Sequence, residues 1–196
     1  WQSPEVHEAL DLCLSCKACG SECPTGTDMA TYKAEVLHQS YRGRVRPMDH
    51  YVLGWLPKLA RLAAPAAGLA NLPQRLPLLG RWAKRAANID VRRQIPTFTS
   101  LPFTRWFAQR SGVERVMPAV DQGAPQRVVL FADTWSNFFA PRVLAAAVEV
   151  LRHAGVDVHV IPSTECCGLT WISTGQLDTA RASLTSAVAA LDATAP

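Results

Sequence analysis

The feature that most constrains this chain is a run of four cysteines near its start. Cys13, Cys16, Cys19 and Cys23 lie within eleven residues, and Pro24 follows directly. A disulfide scaffold spreads its cysteines along the chain, whereas this C-x2-C-x2-C-x3-C-P spacing is that of bacterial iron–sulfur proteins. The run therefore predicts a redox metal site in a reducing compartment, built on these four thiols.

The geometry of a [4Fe–4S] cluster explains this spacing. Cysteines at every third position let one loop wrap three thiolates, those of Cys13, Cys16 and Cys19, around three irons of a cubane. The fourth cysteine, followed by proline, leaves the loop and typically serves a different cluster. A zinc site is the main alternative, but zinc ligands usually come as two separated pairs. Small residues leave room for backbone N–H groups to point at the cluster sulfurs. They are Ser15, Ala18, Gly20 and Ser21.

Helix signals frame the cysteine run on both sides. Ser3 and Pro4 suit the start of a first helix, and Asp28 suits the cap of a second. Apolar residues at helical spacing predict which face of each helix is buried. In the first helix they are Val6, Ala9, Leu10 and Cys13, and in the second they are Met29, Tyr32, Val36 and Leu37.

Residues 126–196 show alternating strand and helix patterns. Apolar runs at 127–132 and 156–161 predict two buried strands, joined by a helix over residues 141–153. A further helix is predicted over residues 175–191. Strand, helix, strand and helix at this spacing predict a parallel α/β unit.

A second cysteine site follows the second predicted strand. Cys166 and Cys167 come after its carboxyl end, where ligands bind in open α/β sheets. Adjacent cysteines there can bind a metal cluster or act as a redox pair. They can equally be two small buried residues at a turn, since free cysteine packs well in cores. The residues alone do not decide between these alternatives.

Charge is distributed unevenly along the chain. The net charge is +4, but residues 42–110 carry thirteen Lys and Arg and only two Asp and Glu. Short helices are predicted at 50–63 and 76–87, and residues 94–107 are predicted to run extended into a short helix. This basic segment is expected to be solvated, or to face an acidic partner or an anionic membrane surface; no nucleic-acid partner is expected.

The chain shows no secretory signal and no uncharged apolar stretch of about 20 residues. A cytoplasmic location is therefore expected, at the inner face of the membrane if the basic segment docks there.

These patterns together predict an α+β, multi-domain architecture. An α-helical, ferredoxin-like [4Fe–4S] module spans residues 1–45, a basic linker of helices and extended chain spans residues 46–125, and a parallel α/β half-domain spans residues 126–196. The chain begins at Trp1 rather than Met, and it holds no second cysteine run that would complete the ligand sets. A fragment of a larger oxidoreductase is therefore expected.

Two stretches resemble FAD-linked 2-hydroxy-acid dehydrogenases of the D-lactate dehydrogenase and glycolate oxidase type. The first is ALDLCLSCKACGSECP at residues 9–24, followed by DMATYKAE at residues 28–35. The second is ECCGLTWISTGQL at residues 165–177, which resembles the cysteine-rich "CCG" domain of the same proteins. That domain is shared with the small subunit of anaerobic glycerol-3-phosphate dehydrogenase and with heterodisulfide reductase.

The resemblance implies how the first cysteine run is used. Cys13, Cys16 and Cys19 would bind one [4Fe–4S] cluster together with an upstream cysteine, and Cys23 would complete another cluster. FAD is expected on an N-terminal flavin domain that this chain lacks. No catalytic residue is therefore expected in this chain, and it is not expected to oxidise a substrate alone.

The resemblance also places Cys166 and Cys167 in the first half of a CCG domain of α/β type, where they are a second candidate metal site. The matching half of that domain is absent from this chain. In the complete protein the two halves would meet and share a redox site.

Two functional hypotheses follow. In the first, the chain is the electron-transfer segment of an FAD-linked dehydrogenase that oxidises D-lactate, glycolate, 2-hydroxyglutarate or a similar acid. Electrons then pass from FAD through the clusters to a quinone or a redox protein. In the second, the chain is a separate electron-carrier or adaptor subunit that docks on a flavin partner, as in glycerol-3-phosphate dehydrogenase or heterodisulfide reductase.

Overall fold

The computed structural model describes residues 1–110, 126–161 and 166–194. This part of the chain is mostly helical, with a single two-stranded parallel sheet. The helices of its N-terminal part are α1 (Pro4–Asp11), α2 (Ala18–Glu22), α3 (Met29–Ser40), α4 (Met48–Gly54), α5 (Leu56–Ala63), α6 (Ala67–Ala70), α7 (Leu72–Arg75), α8 (Pro77–Ala86) and α9 (Phe103–Arg110). The remaining elements are β1 (Arg127–Leu130), α10 (Thr134–Phe138), α11 (Pro141–His153), β2 (Asp157–Val160), α12 (Leu169–Ser173) and α13 (Leu177–Thr194).

The two strands organise the C-terminal half. β1 pairs with β2 in parallel, with Val128 opposite Val158. Helix α11 connects the strands, and it starts with Pro141, whose fixed φ suits the first helical position. Gly155 follows the helix with φ +79°, a left-handed conformation that glycine adopts without steric cost. The α+β class and the parallel pairing predicted from the sequence are confirmed.

Element bounds differ slightly from the prediction. The helix over residues 141–153 is confirmed at both ends. Both strands are shorter than predicted, because ladder pairing stops at Leu130 and at Val160. The last helix starts at Leu177 rather than at 175, because Gly175 takes a turn conformation with φ +65°.

The middle of the chain contributes to the core of this half. Residues 94–102 run without helix or strand into α9, as predicted. Phe103, the first residue of α9, is fully buried and packs with Leu144, Val148 and Val158. Phe138 of α10 packs in turn against α5. The basic segment is therefore part of the packed structure that supports the sheet.

Helices α1 and α3 flank the cysteine loop, as predicted, but their buried faces differ from the prediction. In α3 the buried residues are Ala30, Ala34 and Ser40. Of the predicted face, Met29 and Tyr32 are exposed, and Val36 and Leu37 are partly buried. In α1 only Leu10 of the predicted face is buried. The reason is that α3 packs against α12 and α13, and its alanine side chains leave room for close approach of the helices.

A turn at residues 174–176, called the docking turn below, joins the N-terminal helices to the last two helices. Arg46 donates from Nη1 to the carbonyl oxygen of Thr174 at 2.7 Å and from Nη2 to that of Gly175 at 2.8 Å. Gln176 Oε1 accepts from Trp55 Nε1 at 2.7 Å. These bonds tie the segment that follows α3 to the connection between α12 and α13.

The backbone of the docking turn also lies against α3. A Cβ atom added at Gly175 would lie 2.4 Å from Leu37 Cβ and 2.7 Å from the backbone nitrogen of His38. Only glycine fits at this approach, because such distances are shorter than any normal contact of a Cβ atom. The cysteine loop and the second cysteine pair are thereby held in one packed structure.

Candidate metal centre

The first cysteine run lies between α1 and α3, as the spacing predicts. Cys13 and Cys16 lie in the loop after α1, Cys19 lies within the short helix α2, and Cys23 follows its last residue. All six cysteines of the chain are described, and all are free thiols. The Cys16 side chain is exposed, and the other three in the run are partly buried.

Two residues between these cysteines adopt left-handed backbone conformations. Ser15 has φ +55° and Lys17 has φ +62°. Residues with a Cβ atom seldom occupy this region, and such strain is typical of functional sites.

Backbone N–H groups point at two of the sulfur atoms. The Ser15 N–H donates to Cys13 Sγ at 3.4 Å, and the Met29 N–H donates to Cys19 Sγ at 3.2 Å. Donors of this kind stabilise a thiolate and the negative charge of a cluster bound to it. The contacts fit the sequence-based expectation that backbone N–H groups serve the sulfurs.

Lysine side chains fix the loop to α3. Lys33 Nζ donates to the carbonyl oxygen of Cys13 at 2.8 Å. Lys17 Nζ pairs with Asp28 Oδ2 at 3.1 Å, and Asp28 caps α3 by accepting from the Thr31 N–H at 3.0 Å. These two contacts hold the loop against α3.

Cys23 has hydrogen-bond donors of its own. Its Sγ lies 3.1 Å from the hydroxyl oxygen of Thr25, and that hydroxyl lies 3.1 Å from the Thr27 hydroxyl. Hydrogen bonds with Thr25 and Thr27 lower the pKa of the Cys23 thiol from 9.0 to about 6, and the bond with the Thr25 side chain has the largest effect. At neutral pH this cysteine is mostly the thiolate, the form that binds metals.

The predicted convergence of Cys13, Cys16 and Cys19 on one point is not found. Within residues 1–110, 126–161 and 166–194, no three His, Cys, Asp or Glu side chains are gathered closely enough to hold a metal ion. The donor chemistry nevertheless fits a cluster, because four soft, unpaired thiols share one loop with N–H groups directed at sulfur. Assignment of a cluster to these residues stays a prediction.

The cap of α3 gives a testable pH dependence. Hydrogen bonds from the side chain and the backbone N–H of Thr31 lower the pKa of Asp28 from 3.8 to about 2, and the side-chain bond has the largest effect. The folded state then loses this stabilisation as the pH falls from about 4 to about 2, because the carboxylate is protonated more easily in the unfolded chain. We expect Asp28→Ala to lower the apo-protein's Tm by a few degrees at neutral pH.

Asp28→Asn is the matched control for this prediction. Asparagine caps helices as well as aspartate does, so its Tm at neutral pH should stay near that of the wild type. Its Tm should also fall less between pH 4 and pH 2. Thermal melts followed by circular dichroism give both comparisons, and an identical acid dependence in Asp28→Asn would contradict the argument.

The second cysteine pair lies at the carboxyl edge of the sheet, as predicted. Residues 162–165, with the predicted Thr164 and Glu165, lie outside the described part of the chain. Cys166 follows them, and the hydroxyl of Thr134, which starts the helix after β1, hydrogen-bonds to its thiol. Cys166 thus lies where the carboxyl ends of both strands meet.

The two adjacent thiols have opposite environments. Cys166 is buried against Trp171 and Ala180, and the Gly168 N–H donates to its Sγ at 3.4 Å. Burial raises the pKa of the Cys166 thiol. Cys167 is exposed. The sequence left open whether the pair is a redox or metal site or simply buried in the core. Cys166 is packed as a core residue, whereas Cys167 is open to a partner.

A buried polar atom beside Cys166 is unsatisfied. The indole N–H of Trp171 has no hydrogen-bond partner among the residues that the structure describes. A buried donor without a partner costs free energy, so an acceptor for this N–H is expected from outside the described residues. No pattern in the sequence indicated that Trp171 and Thr134 contact Cys166. The hydroxyl groups of Thr25 and Thr27 beside Cys23, by contrast, could have been noticed in the sequence.

Selective alkylation should separate the two thiols. In the reduced apo-protein, iodoacetamide should modify Cys167 under native conditions and spare Cys166, because burial shields that thiol and disfavours its thiolate. Peptide mass mapping after short exposure gives the ratio. In denaturant both thiols should react alike, and equal labelling in the native protein would contradict the burial of Cys166.

Comparisons with known proteins find relatives but no matching protein-family profile and no matching solved structure. The chain is 26% identical to D-2-hydroxyglutarate dehydrogenase of Pseudomonas putida, over 82% of this chain and 16% of that protein. It is 25% identical to a subunit of the anaerobic glycerol-3-phosphate dehydrogenase of Escherichia coli, over 68% of this chain and 32% of that protein. It is 24% identical to a probable glycolate oxidase iron–sulfur subunit of Bacillus subtilis, over 96% of this chain and 44% of that protein.

The chain thus spans about a sixth of the D-2-hydroxyglutarate dehydrogenases that it matches. Matches to three kinds of protein, all with dehydrogenase or oxidase names, cover most of its length. The resemblance stated from the two cysteine motifs is therefore confirmed: this chain is a homologue of D-2-hydroxyglutarate dehydrogenase, of an anaerobic glycerol-3-phosphate dehydrogenase subunit and of the glycolate oxidase iron–sulfur subunit, and corresponds to a portion of these proteins.

Proposed function

We propose that this chain is the iron–sulfur electron-transfer segment of an FAD-linked oxidoreductase that oxidises a 2-hydroxy acid. The observation that carries the proposal is the four-cysteine loop between α1 and α3, with backbone N–H groups donating to two of its sulfurs. The relatives' names add support, since they include a D-2-hydroxyglutarate dehydrogenase and a glycolate oxidase iron–sulfur subunit.

Cys13, Cys16 and Cys19 would hold one [4Fe–4S] cluster with a fourth ligand from another segment, and Cys23 would serve a second cluster. Such clusters, when bound, accept and release single electrons. The residues around the loop set how readily this happens. N–H groups of Ser15 and Met29 donate to sulfur, and donors of this kind stabilise the reduced state.

Lys33 acts in the same direction, because its ammonium group binds the carbonyl oxygen of Cys13. The charge of Lys17 is balanced by Asp28, so that pair only fixes the loop. Positive charge near a site that gains an electron stabilises the added negative charge. The same contacts keep the loop attached to α3, so that its sulfurs stay at a fixed place relative to the rest of the chain.

The second cysteine pair is proposed as the later station for electrons. Cys167 is exposed, and it would bind a metal group or face a partner at the carboxyl edge of the sheet. Cys166 is packed against Trp171 and Ala180 and would hold the backbone of Cys167 in place. In the proposed protein a flavin domain holding FAD delivers the electrons, and a quinone or a redox protein receives them.

A second candidate function is a separate carrier or adaptor subunit that docks on a flavin partner. The match to the glycolate oxidase iron–sulfur subunit favours it, because it covers 96% of this chain. Both candidates use the same residues for the same electron transfer. They differ in whether the flavin domain is encoded in the same polypeptide, which the neighbouring gene sequence decides.

The proposed function is tested on the anaerobically reconstituted protein, expressed with its flavin domain or flavin partner. We expect Cys167→Ser to slow reduction of a quinone analogue by about tenfold or more, while reduction of the flavin by D-2-hydroxyglutarate, D-lactate or glycolate is unchanged. Stopped-flow absorbance separates the two steps. Ser186→Ala, at an exposed position on α13, is the control and should leave both rates near those of the wild type.

Unchanged acceptor reduction in Cys167→Ser would remove this pair from the electron path. A reconstituted wild-type protein that holds no iron–sulfur cluster would overturn the proposed function as a whole. Failure of all three acids to reduce the flavin would place the substrate outside the proposed class.

A further inference from the structure

The helices between α4 and α9 leave large apolar side chains in solvent. Four of them are at least 74% exposed, namely Leu62 at 77%, Leu69 at 74%, Leu78 at 78% and Trp82 at 75%. Single exposed apolar residues are common on protein surfaces, but a series of leucines and a tryptophan within about twenty residues is not. These four residues are called the outer face below.

Packing of the same helices explains why these residues point outward. The buried side chains of α5, the turn after it and α6 are Pro57, Ala60, Ala64 and Ala67. Leu62 and Leu69 are offset from this buried stripe, so they lie on the opposite side of the chain. In α8 the buried residue is Gly80, where an added Cβ would lie 2.4 Å from the carbonyl oxygen of Pro73.

Leu78 and Trp82 lie two residues either side of Gly80, on the far side of α8. The inward positions are therefore filled by proline, alanine and glycine, and these four large apolar side chains lie outside the core. The outer face is thus a consequence of close backbone packing and not of a loosely folded segment.

Positive charge surrounds the outer face. Residues 50–89 contain six Lys and Arg and no Asp or Glu. Within the described part of the chain none of the six forms an ion pair with an acid. Lys58 lies over the Trp55 ring at 4.4 Å, and Lys84 donates to the carbonyl oxygen of Val91. Arg61, Arg75, Arg81 and Arg85 are exposed.

This combination distinguishes a lipid surface from a protein partner. Residues 50–89 carry cations and no acids, and a bilayer with anionic headgroups presents the opposite charge across its whole surface. Leucine and tryptophan beside lysine and arginine are typical of helices that lie in the interface of an anionic bilayer. Within the described residues no helix combines the length and apolar character needed to cross a bilayer, so the contact would be superficial.

We propose that helices α5 to α8 dock on an anionic lipid bilayer, with Leu62, Leu69, Leu78 and Trp82 inserted between the headgroups and the basic side chains bound to lipid phosphates. The inference depends on the proposed function in one respect. If the electron acceptor is a lipid-soluble quinone, docking on the bilayer would bring the chain close to it. Docking itself requires neither a cluster nor turnover.

Vesicle flotation tests the proposal with the reconstituted protein and its flavin partner. Phosphatidylcholine vesicles containing phosphatidylglycerol should bind the protein, pure phosphatidylcholine vesicles should bind it weakly, and added salt should release it. Removing two cations in R81Q/R85Q should lower the partition coefficient about fivefold per cation. Removing apolar side chains in L78S/W82S should lower it at least about tenfold.

Matched controls come from α11, where Arg142 is exposed and Val150 is 69% exposed. R142Q and V150S change the same chemistry elsewhere on the surface and should bind vesicles like the wild type. Circular dichroism melts of all variants check that the fold is kept.

Three results would overturn the proposal. They are equal binding to neutral and anionic vesicles, loss of binding in the controls as large as in the variants, and no binding to either vesicle. If sedimentation shows that L78S/W82S abolishes self-association instead, the outer face is a contact between copies of this chain. A protein that has lost its clusters but still binds vesicles would leave this inference standing and count only against the proposed function.

Discussion

Replacing Cys16 with serine is expected to abolish most of the bound iron and visible absorbance of the reconstituted protein. Cys16 is the central cysteine of the run, and its side chain is exposed where a cluster would bind. Serine has almost the same shape, but its oxygen is a hard ligand that stays protonated at neutral pH, whereas iron–sulfur clusters select soft thiolates. Iron analysis and absorbance spectra, taken after anaerobic reconstitution, give the loss directly.

The control for this experiment is Ser21→Ala, within the same loop. Ser21 Oγ donates to the carbonyl oxygen of Ala18 at 3.0 Å and contacts no cysteine sulfur in the described structure. Its removal should leave iron content near that of the wild type. Unchanged iron in Cys16→Ser would contradict the assignment, and so would a colourless wild-type protein that holds stoichiometric zinc.

Gly175→Ala is expected to lower the free energy of unfolding by about 2–5 kcal/mol. Two costs add at this position. Alanine is strained at φ +65°, and its methyl group would meet Leu37 Cβ at 2.4 Å and the backbone nitrogen of His38 at 2.7 Å. The backbone of α3 cannot move aside as a flexible side chain would, so the docking turn must separate from it. Urea denaturation of the apo-protein measures the change.

Gly43→Ala separates strain from crowding. Gly43 has φ +71°, close to that of Gly175, but a Cβ atom there would meet nothing within 4 Å. Its cost should therefore be only the strain, about 1–2 kcal/mol. Equal destabilisation in the two variants would show that the close approach of the docking turn to α3 contributes nothing.

Features with local causes were predictable from the sequence. Pro141 and Gly155 delimit α11, and apolar runs mark both strands, because proline, glycine and β-branched residues act through their own backbone geometry. The cysteine spacing likewise placed the loop between two helices. Asp28 was identified as a cap for the same reason, since capping involves only the next three residues.

Features that depend on distant partners were not predictable. The predicted buried face of α3 comprised Met29, Tyr32, Val36 and Leu37. The first two are exposed and the last two are partly buried, whereas Ala30 and Ala34 are fully buried in a helix that contacts α12 and α13. Nothing near α3 in sequence indicates that helices more than a hundred residues away approach it so closely. The different environments of Cys166 and Cys167 have the same origin, because Trp171 and Ala180 cover one thiol and leave its neighbour open.

The docking turn has a consequence for how the protein is made. The cysteine run leaves the ribosome early, but Arg46 must wait for its partner Thr174, which lies 128 residues further along. At about 5–20 residues per second, that delay is about 6–25 s. During this interval α3 lacks its contacts with α12 and α13, and the loop is held to it by local bonds such as that from Lys33 to Cys13. The cysteine run is therefore joined to the C-terminal half of the chain only after the last two helices have been synthesised.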